Sequence, residues 1–456
     1  MRNKIYIPIL GGTILLISFF VTLFSSNKEK DIETNELLAT VISIDDNKFT
    51  VCDNNNIIYT FNKKDIRAEV GENIVIEYTG VLDKNKSLQK NDIVGYTISS
   101  MTSDENGVPT DYLDDGIFSD YYILAYNYLK GLSLDEKIAQ LLLVRYPDNN
   151  AKEILEKYKF GGYLFFEKDF RGKTDQEAKN MINESQDVSN TPILTAVDEE
   201  GGVVVRVSSN PNLSKEKFKS SSDLYDQGGF DLIRQDTIDK SKLLNSLGLN
   251  LNLAPVVDVS TNSSDYMYSR SFKKDTNLTG SYAKTVIDAS KNTGVSYTLK
   301  HFPGYGNNSD THTGSSIDNR SYDDIINNDI PPFKEGINAG AEAVLVSHNI
   351  VNSIDSNNPA SLSPSVHNLL RNELDFTGII ITDDLTMGAT SSISNATVKA
   401  ILAGNDLIIT TDYEASINEI KNAINNGTIS KDIIDKLAFR IIVWKYYKGL
   451  MFVNQK

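Results

Sequence analysis

The chain has 456 residues, 40% of them hydrophobic, and a formal net charge of −16. That length accommodates one large domain of about 250–350 residues plus a smaller module, and an acidic chain without a basic patch excludes a nucleic-acid partner. The single cysteine, Cys52, excludes an intrachain disulfide, which a chain with a large core does not need.

Arg2 and Lys4 precede an uncharged run from Ile5 to Phe24, about 20 residues and long enough to cross a bilayer as a helix. Lys28, Glu29 and Lys30 end it abruptly. The positive residues ahead of the run predict its N-terminus inside and the rest of the chain outside. Phe24-Ser25-Ser26 is a poor small-residue cleavage site, and no cysteine sits just after the run to carry a lipoprotein anchor. Residues 1–30 therefore read as an uncleaved signal-anchor that ties the chain to the membrane through residues 5–24, with a cleaved signal peptide as the alternative. Either way the working part is extracytoplasmic.

Residues 37–101 read as a small all-β module. Val41, Ile42 and Ile44, then Phe49 and Val51, then Ile57 to Phe61 form short apolar or alternating runs, separated by the turn clusters Asp45–Lys48 and Asp53–Asn56. Ile74–Tyr78 and Ile93–Ile98 add two more strands, and strands this short and numerous suggest a small barrel. Nothing catalytic clusters here, so the module reads as a spacer or a wall-binding unit. Ser100 to Thr110, with Gly107 and Pro109, reads as a linker.

Over 111–456 the pattern changes to strands alternating with helices. Ser133 begins a helix whose apolar run passes into a strand ending at Val144. Further strands follow at Gly161–Glu167, Pro192–Asp198, Leu251–Val259, Tyr297–His301, Ala343–His348, Gly378–Asp383 and Asp406–Thr410. Helical stretches fall at Asn277–Lys291, Glu414–Asn425 and Lys431–Tyr447, the last with Ser430 as N-cap. Near-continuous apolar strands separated by helices imply a parallel sheet covered on both faces. Eight of them predict an α/β fold, a (β/α)8 TIM-type barrel, preceded by the all-β module.

Such a barrel works at the C-terminal ends of its strands, and the polar residues at those ends converge. They are Asp198-Glu199-Glu200 and Arg206, Asp258 and Arg270, Lys300-His301, Ser347-His348 and Asp383-Asp384. The fifth strand feeds a Gly- and Asn-rich loop, Gly304 to Ser309, able to bend sharply. It ends in Asp310-Thr311-His312, where a carboxylate two residues from an imidazole can bond one ring nitrogen and leave the other for proton transfer. No HExxH, CxxC or short-spaced histidine pair is present, so no metal is expected, although His301, His348 and Asp383 stand on neighbouring strand ends. A dinucleotide or phosphate loop is absent as well. A carboxylate fixed at a strand end, an acid/base on a loop and charged groups to hold hydroxyls suit glycoside hydrolysis.

From Leu132 to Met451 the chain resembles the glycoside hydrolase family 3 β-N-acetylglucosaminidases of the NagZ-like branch. The resemblance rests on DEEGGVVVR at Asp198–Arg206, NLNLAPVVDV at Asn250–Val259 and SRSF at Ser269–Phe272. It continues with KHFPGYG at Lys300–Gly306, DTH at Asp310–His312 and ITDDLTM at Ile381–Met387. It implies a retaining, two-step hydrolysis that needs no cofactor. Asp383 would be the nucleophile, His312 the acid/base and Asp310 its tuning partner. Asp198, Arg206, Arg270, Lys300 and His301 would grip the hydroxyls and N-acetyl group of a GlcNAc-containing cell-wall substrate. Asp384 would brace the strand end, and His348 is equally a brace or a site residue.

Tyr305 stands where the family pattern has histidine, and the stretch from Gly306 to Asp310 is short; both bear on loop closure, rate and substrate choice. The second α/β domain of many relatives is not expected here. The rival activities are a β-glucosidase and a glycoside phosphorylase, and the rival from another class is a non-catalytic cell-wall-binding protein.

Overall fold

The computed structural model describes residues 34–44, 48–53, 57–62, 68, 73–83, 88–89, 93–99, 108–306, 308, 310–311, 314 and 316–451. The apolar run at 5–24, the turns at 45–47 and 54–56 and most of the linker lie outside the described residues. Among those that are described, no helix is long and apolar enough to cross a membrane.

The first strands are β1 (Thr34–Ile44), β2 (Lys48–Asp53), β3 (Ile58–Asn62), β4 (Asn73–Thr79) and β5 (Ile93–Ser99), joined as one antiparallel sheet in the order β3-β2-β1-β4-β5. Alternate residues such as Phe49 and Val51, Tyr59 and Phe61, Ile74 and Ile76 bury one face, as period-two patterning requires. The expected closure into a small barrel is not seen. Among the described residues no pairing joins β3 to β5, and the β3 edge is met instead by Leu88-Gln89, where the Gln89 N–H donates to the Thr60 carbonyl at 2.7 Å.

The catalytic-type fold uses β6 (Leu142–Arg145), β7 (Gly162–Phe165), β8 (Leu194–Val197), β9 (Leu251–Asn252), β10 (Ser296–Phe302), β12 (Ala343–Val346), β14 (Ile379–Thr382) and β15 (Ile408–Thr410). Between them in sequence, β11 (Ile317–Asp318) and β13 (Ile350–Val351) form a separate two-stranded parallel pair beside the mouth. The eight-stranded sheet runs β14-β12-β10-β9-β8-β7-β6-β15, all parallel. It closes where the Thr382 N–H donates to the Leu407 carbonyl at 3.0 Å and the Asp406 N–H to the Ile380 carbonyl at 2.8 Å. This is the predicted barrel, with one strand much shorter than expected. β9 stops at Asn252, short of Pro255, which has no N–H for a ladder. Single bonds carry the contact onward: the Leu253 N–H to the Val197 carbonyl (2.8 Å), the Thr298 N–H to the Ala254 carbonyl (2.8 Å), the Lys300 N–H to the Pro255 carbonyl (3.2 Å) and the Val257 N–H to the Lys300 carbonyl (2.8 Å).

Caps fix the starts of two outer helices, and an ionic group ties the last of them to the barrel. Ser133 and Glu136 form a reciprocal capping box, and Ser430 caps Lys431–Tyr447 through the Ile433 N–H at 3.2 Å. At the seam, the fully buried Asp406 accepts from Arg371 (2.5 Å), from the Ile380 N–H (2.7 Å) and from Nε of Arg440 on that last helix (2.6 Å).

Lys445, on the same helix, is wholly buried with the Gln140 Oε1 at 2.6 Å as its hydrogen-bond acceptor. Burial lowers its pKa to about 7. The native state is therefore penalised in full below pH 7, and stability is regained as pH rises towards about 10.4, the lysine's unfolded value. Lys445→Met is expected to stabilise the protein at pH 6, by at most about 5 kcal/mol, and so to raise its melting temperature there. The advantage should vanish by pH 10, and an advantage independent of pH in melting curves would refute a buried, titrating lysine.

Candidate active site

The C-terminal rim of the barrel is built from β8 outward. Two consecutive glutamates after Asp198 do different work. Glu199 is fully buried and accepts the N–H groups of Arg206 and Val207, both at 2.7 Å, so it shapes the loop from within. Glu200 turns the other way and receives Arg270 through two hydrogen bonds, 3.0 Å from Nε and 2.6 Å from Nη2. Lys300 Nζ bridges Glu200 and Asp198, 2.7 Å from each. Burial alone would raise the Glu200 pKa, but Arg270 and Lys300 overcome it and hold the carboxyl well below its ordinary range. The result is a fixed lattice of alternating charges, with Arg270 Nη2 also 3.4 Å from Nε2 of His301.

His301 is oriented from behind. Its Nδ1 lies 2.8 Å from Oδ2 of the buried Asp258, whose Oδ1 accepts the Tyr305 N–H at 2.7 Å. A carboxylate at Nδ1 favours the proton on that nitrogen and presents Nε2 to the mouth.

The loop leaving β10 turns at Gly304 and Gly306, with φ of +119° and +57°. A Cβ at Gly304 would lie 2.4 Å from Oδ1 of Asp329, and one at Gly306 would lie 2.4 Å from Nη2 of Arg320. Only glycine fits, both for conformation and for space. Arg320 in turn binds Asp318 and Asp329, each at 2.7 Å, so the turn rests on a buried ionic shelf. Tyr305 is nearly buried, and its phenol meets Thr311 Oγ1 at 2.7 Å and accepts the Thr311 N–H at 2.9 Å. In this chain, then, the tyrosine clips the start of the loop to its end. Asp310 lies beside Tyr266, whose phenol is flanked by Asp310 and Arg270. His312 lies outside the described residues.

Asp383 follows β14, its N–H bonded to the Val346 carbonyl at 3.0 Å and its Oδ1 accepting the Asp384 N–H at 2.9 Å. Burial pushes its pKa up. His348, His301, the Asp384 amide and Lys300 outweigh that and leave the carboxyl below its usual range. It is a desolvated yet ionised carboxylate. Asp384 points elsewhere and accepts from the Thr386 N–H at 2.9 Å and its hydroxyl at 2.8 Å, a brace for the strand end. His348 likewise spans Ser361 Oγ (2.7 Å) and the Asp384 carbonyl (2.9 Å).

Residues 133–443 match the family model described as the glycosyl hydrolase family 3 N terminal domain. The chain belongs to glycosyl hydrolase family 3. It is 29% identical over 329 residues to beta-hexosaminidase LpqI of Mycobacterium tuberculosis, covering 69% of this chain and 83% of that one. An uncharacterized secreted glycosyl hydrolase of Arthroderma benhamiae is 27% identical, covering 68% of this chain and 92% of its own length. Among solved structures, a family 3 beta-N-acetylglucosaminidase from Paenibacillus sp. str. FPU-7 superposes with a TM-score of 0.66 at 26% identity. That likeness covers 72% of this chain and 65% of the neighbour, so this chain spans somewhat less than two thirds of it.

Within this family 3 glycoside hydrolase, Asp198, Arg206, Arg270, Lys300, His301 and Asp383 share one rim, with Asp310 beside it. Sequence reasoning did not assign Glu200 and Asp258, which fix Arg270, Lys300 and His301. Their signal was available: each is a carboxylate within a motif, opposite a cation of another motif. Arg145 and Phe166, at the ends of β6 and β7, lie against each other and belong to no motif.

Proposed function

We propose that this chain is an extracytoplasmic, retaining exo-β-N-acetylglucosaminidase releasing GlcNAc from β-1,4-linked peptidoglycan fragments. The observation that carries the reading is the ionised, immobilised Asp383 carboxylate at the barrel mouth, beside the Lys300–Asp198–Glu200–Arg270 lattice. One Asp383 oxygen attacks the anomeric carbon while the bond to the leaving sugar breaks, and the departing oxygen takes a proton from His312. Water then attacks the same carbon and returns a proton to His312, which frees Asp383 as carboxylate. Asp310, two residues before His312, raises the imidazole's basicity towards the working pH. The roles of this pair rest on the D-x-H motif.

Asp198, Arg206, Arg270, Lys300 and His301 hold the sugar's hydroxyls and N-acetyl group. The β-hexosaminidase relatives favour an N-acetyl sugar. The secreted fungal relative and the apolar run at 5–24 favour a location outside the cytoplasm, with that run as a signal-anchor. The β1–β5 sheet is a spacer between that anchor and the barrel.

Aryl β-N-acetylglucosaminide assayed beside aryl β-glucoside, with and without phosphate, tests the reading. Strong, phosphate-independent preference for the N-acetyl sugar is expected. In the same assay His312→Ala should slow substrates with poor leaving groups more than activated aryl glycosides, and equal losses would remove His312 from the acid role.

A further inference from the structure

The partly buried arginines described in the barrel fall into two groups. Arg270, Arg320, Arg371 and Arg440 each have a carboxylate oxygen within 2.7 Å. Arg145 and Arg206 do not. Among the described residues the Nε of each is buried without a hydrogen-bond partner, and Arg206 has one carboxylate within reach, Asp198, at 4.0 Å. Both guanidinium groups instead lie near one ring, that of Phe166, with their central carbons 4.3 Å (Arg145) and 5.6 Å (Arg206) from its centroid.

Strand register places Arg145 on the inner face. Arg145 pairs with Leu164, Leu164 with Ala196, and Asp198 is two residues beyond Ala196 on the same side. The neighbouring Tyr163 takes the opposite direction, its hydroxyl reaching the Ala151 carbonyl at 2.7 Å in a surrounding helix. From Lys300 outward, the rim therefore reads Asp198, Arg206, Phe166, Arg145. Asp148 and Asp169 lie near enough to feel the charge of Arg145, but neither is bonded to it. A partly desolvated guanidinium with no bonded anion is costly, and a chain with net charge −16 has carboxylates to spare for it. An arginine stacked on an aromatic ring keeps its planar fork free for a carboxylate, which it binds bidentately.

We propose that Arg145, supported by Phe166 and flanked by Arg206, is a specificity-determining residue that binds a carboxylate carried by the saccharide substrate. This rests on the glycosidase reading above and deepens it: the enzyme selects acidic over neutral saccharides.

The test compares the disaccharide GlcNAc-β-1,4-N-acetylmuramic acid, whose lactyl group carries a carboxylate, with its neutral methyl ester. For the wild-type enzyme, kcat/KM for the acid should exceed that for the ester by about tenfold or more, equivalent to about 1.4 kcal/mol. Arg145→Met should bring that ratio close to one, chiefly through KM for the acid. Arg145→Lys, which keeps the charge but loses the fork, should recover part of it. A wild-type ratio near one, or a ratio unchanged in Arg145→Met, overturns the proposal, and the first needs no variant to fold. Failure of the wild type on aryl β-N-acetylglucosaminide would instead refute the underlying activity.

Discussion

Asp383→Ala is expected to lower kcat on aryl β-N-acetylglucosaminide by a factor on the order of 10⁴ or more, the range seen when a covalent nucleophile is removed. The physical reason lies in the environment of the carboxylate. Its Oδ1 is held by the Asp384 N–H at 2.9 Å, and the surrounding His348, His301 and Lys300 keep it charged although it is desolvated. A nucleophile stripped of water but still ionised is reactive, and the neighbours that make it so contribute nothing once it is gone. The same variant offers a direct test of role. A small anion such as azide can occupy the space left by the carboxylate and attack the anomeric carbon itself. Recovery of turnover with azide, together with the appearance of the α-glycosyl azide, would mark Asp383 as the nucleophile. Activity within tenfold of wild type, in a variant that melts at the wild-type temperature, would remove it from the chemistry.

The second large effect is on stability. Asp406→Ala deletes the shared acceptor of Arg371 and Arg440 at the barrel seam and leaves two guanidinium groups facing each other. Already in the intact protein the proximity of Arg440, after burial itself, depresses the Arg371 pKa to about 10. Removing one member of a buried ionic group costs about 3–5 kcal/mol. Arg371→Met introduced beside Asp406→Ala should restore part of the loss, because it removes a stranded charge.

The pH dependence has a definite sign. Burial raises the Asp406 pKa, but Arg440 and Arg371 more than reverse this, so the folded carboxyl titrates below its usual value. Its stabilisation is full above about pH 4, the unfolded value, and is lost as pH falls through the folded one. Wild type and Asp406→Ala should therefore converge in urea midpoints at low pH. A constant gap down to pH 2 would argue against an ionised Asp406.

Much of this architecture is legible in the sequence, for a specific reason. The barrel strands are buried on both faces, so they appear as apolar runs such as AVLV at Ala343–Val346 and IIIT at Ile379–Thr382. β9 was overestimated because Leu253, Val256 and Val257 are equally apolar and equally buried, yet beyond Asn252 they meet the sheet through isolated bonds and one bridge, not a continuous ladder. Apolar character reports burial, and backbone pairing is a separate matter. The site divides along similar lines. Groups that face the mouth sit in motifs, whereas the contacts that orient them join residues far apart, 70 positions for Glu200 and Arg270 and 43 for Asp258 and His301. No local pattern encodes such a pair. Arg145 is harder still, since the role proposed for it rests on a bonded carboxylate that it lacks among the described residues.

Asp258 has a consequence for how substrate is felt. One oxygen orients the His301 ring and the other holds the backbone of Tyr305, the residue that clips the loop start to Thr311. With the binding role proposed for His301, a sugar that pulls on the imidazole pulls, through the same carboxylate, on the segment leading to Asp310. Occupancy and loop position become linked quantities, and linkage is reciprocal. Whatever steadies the loop must strengthen the grip on the sugar by the same factor.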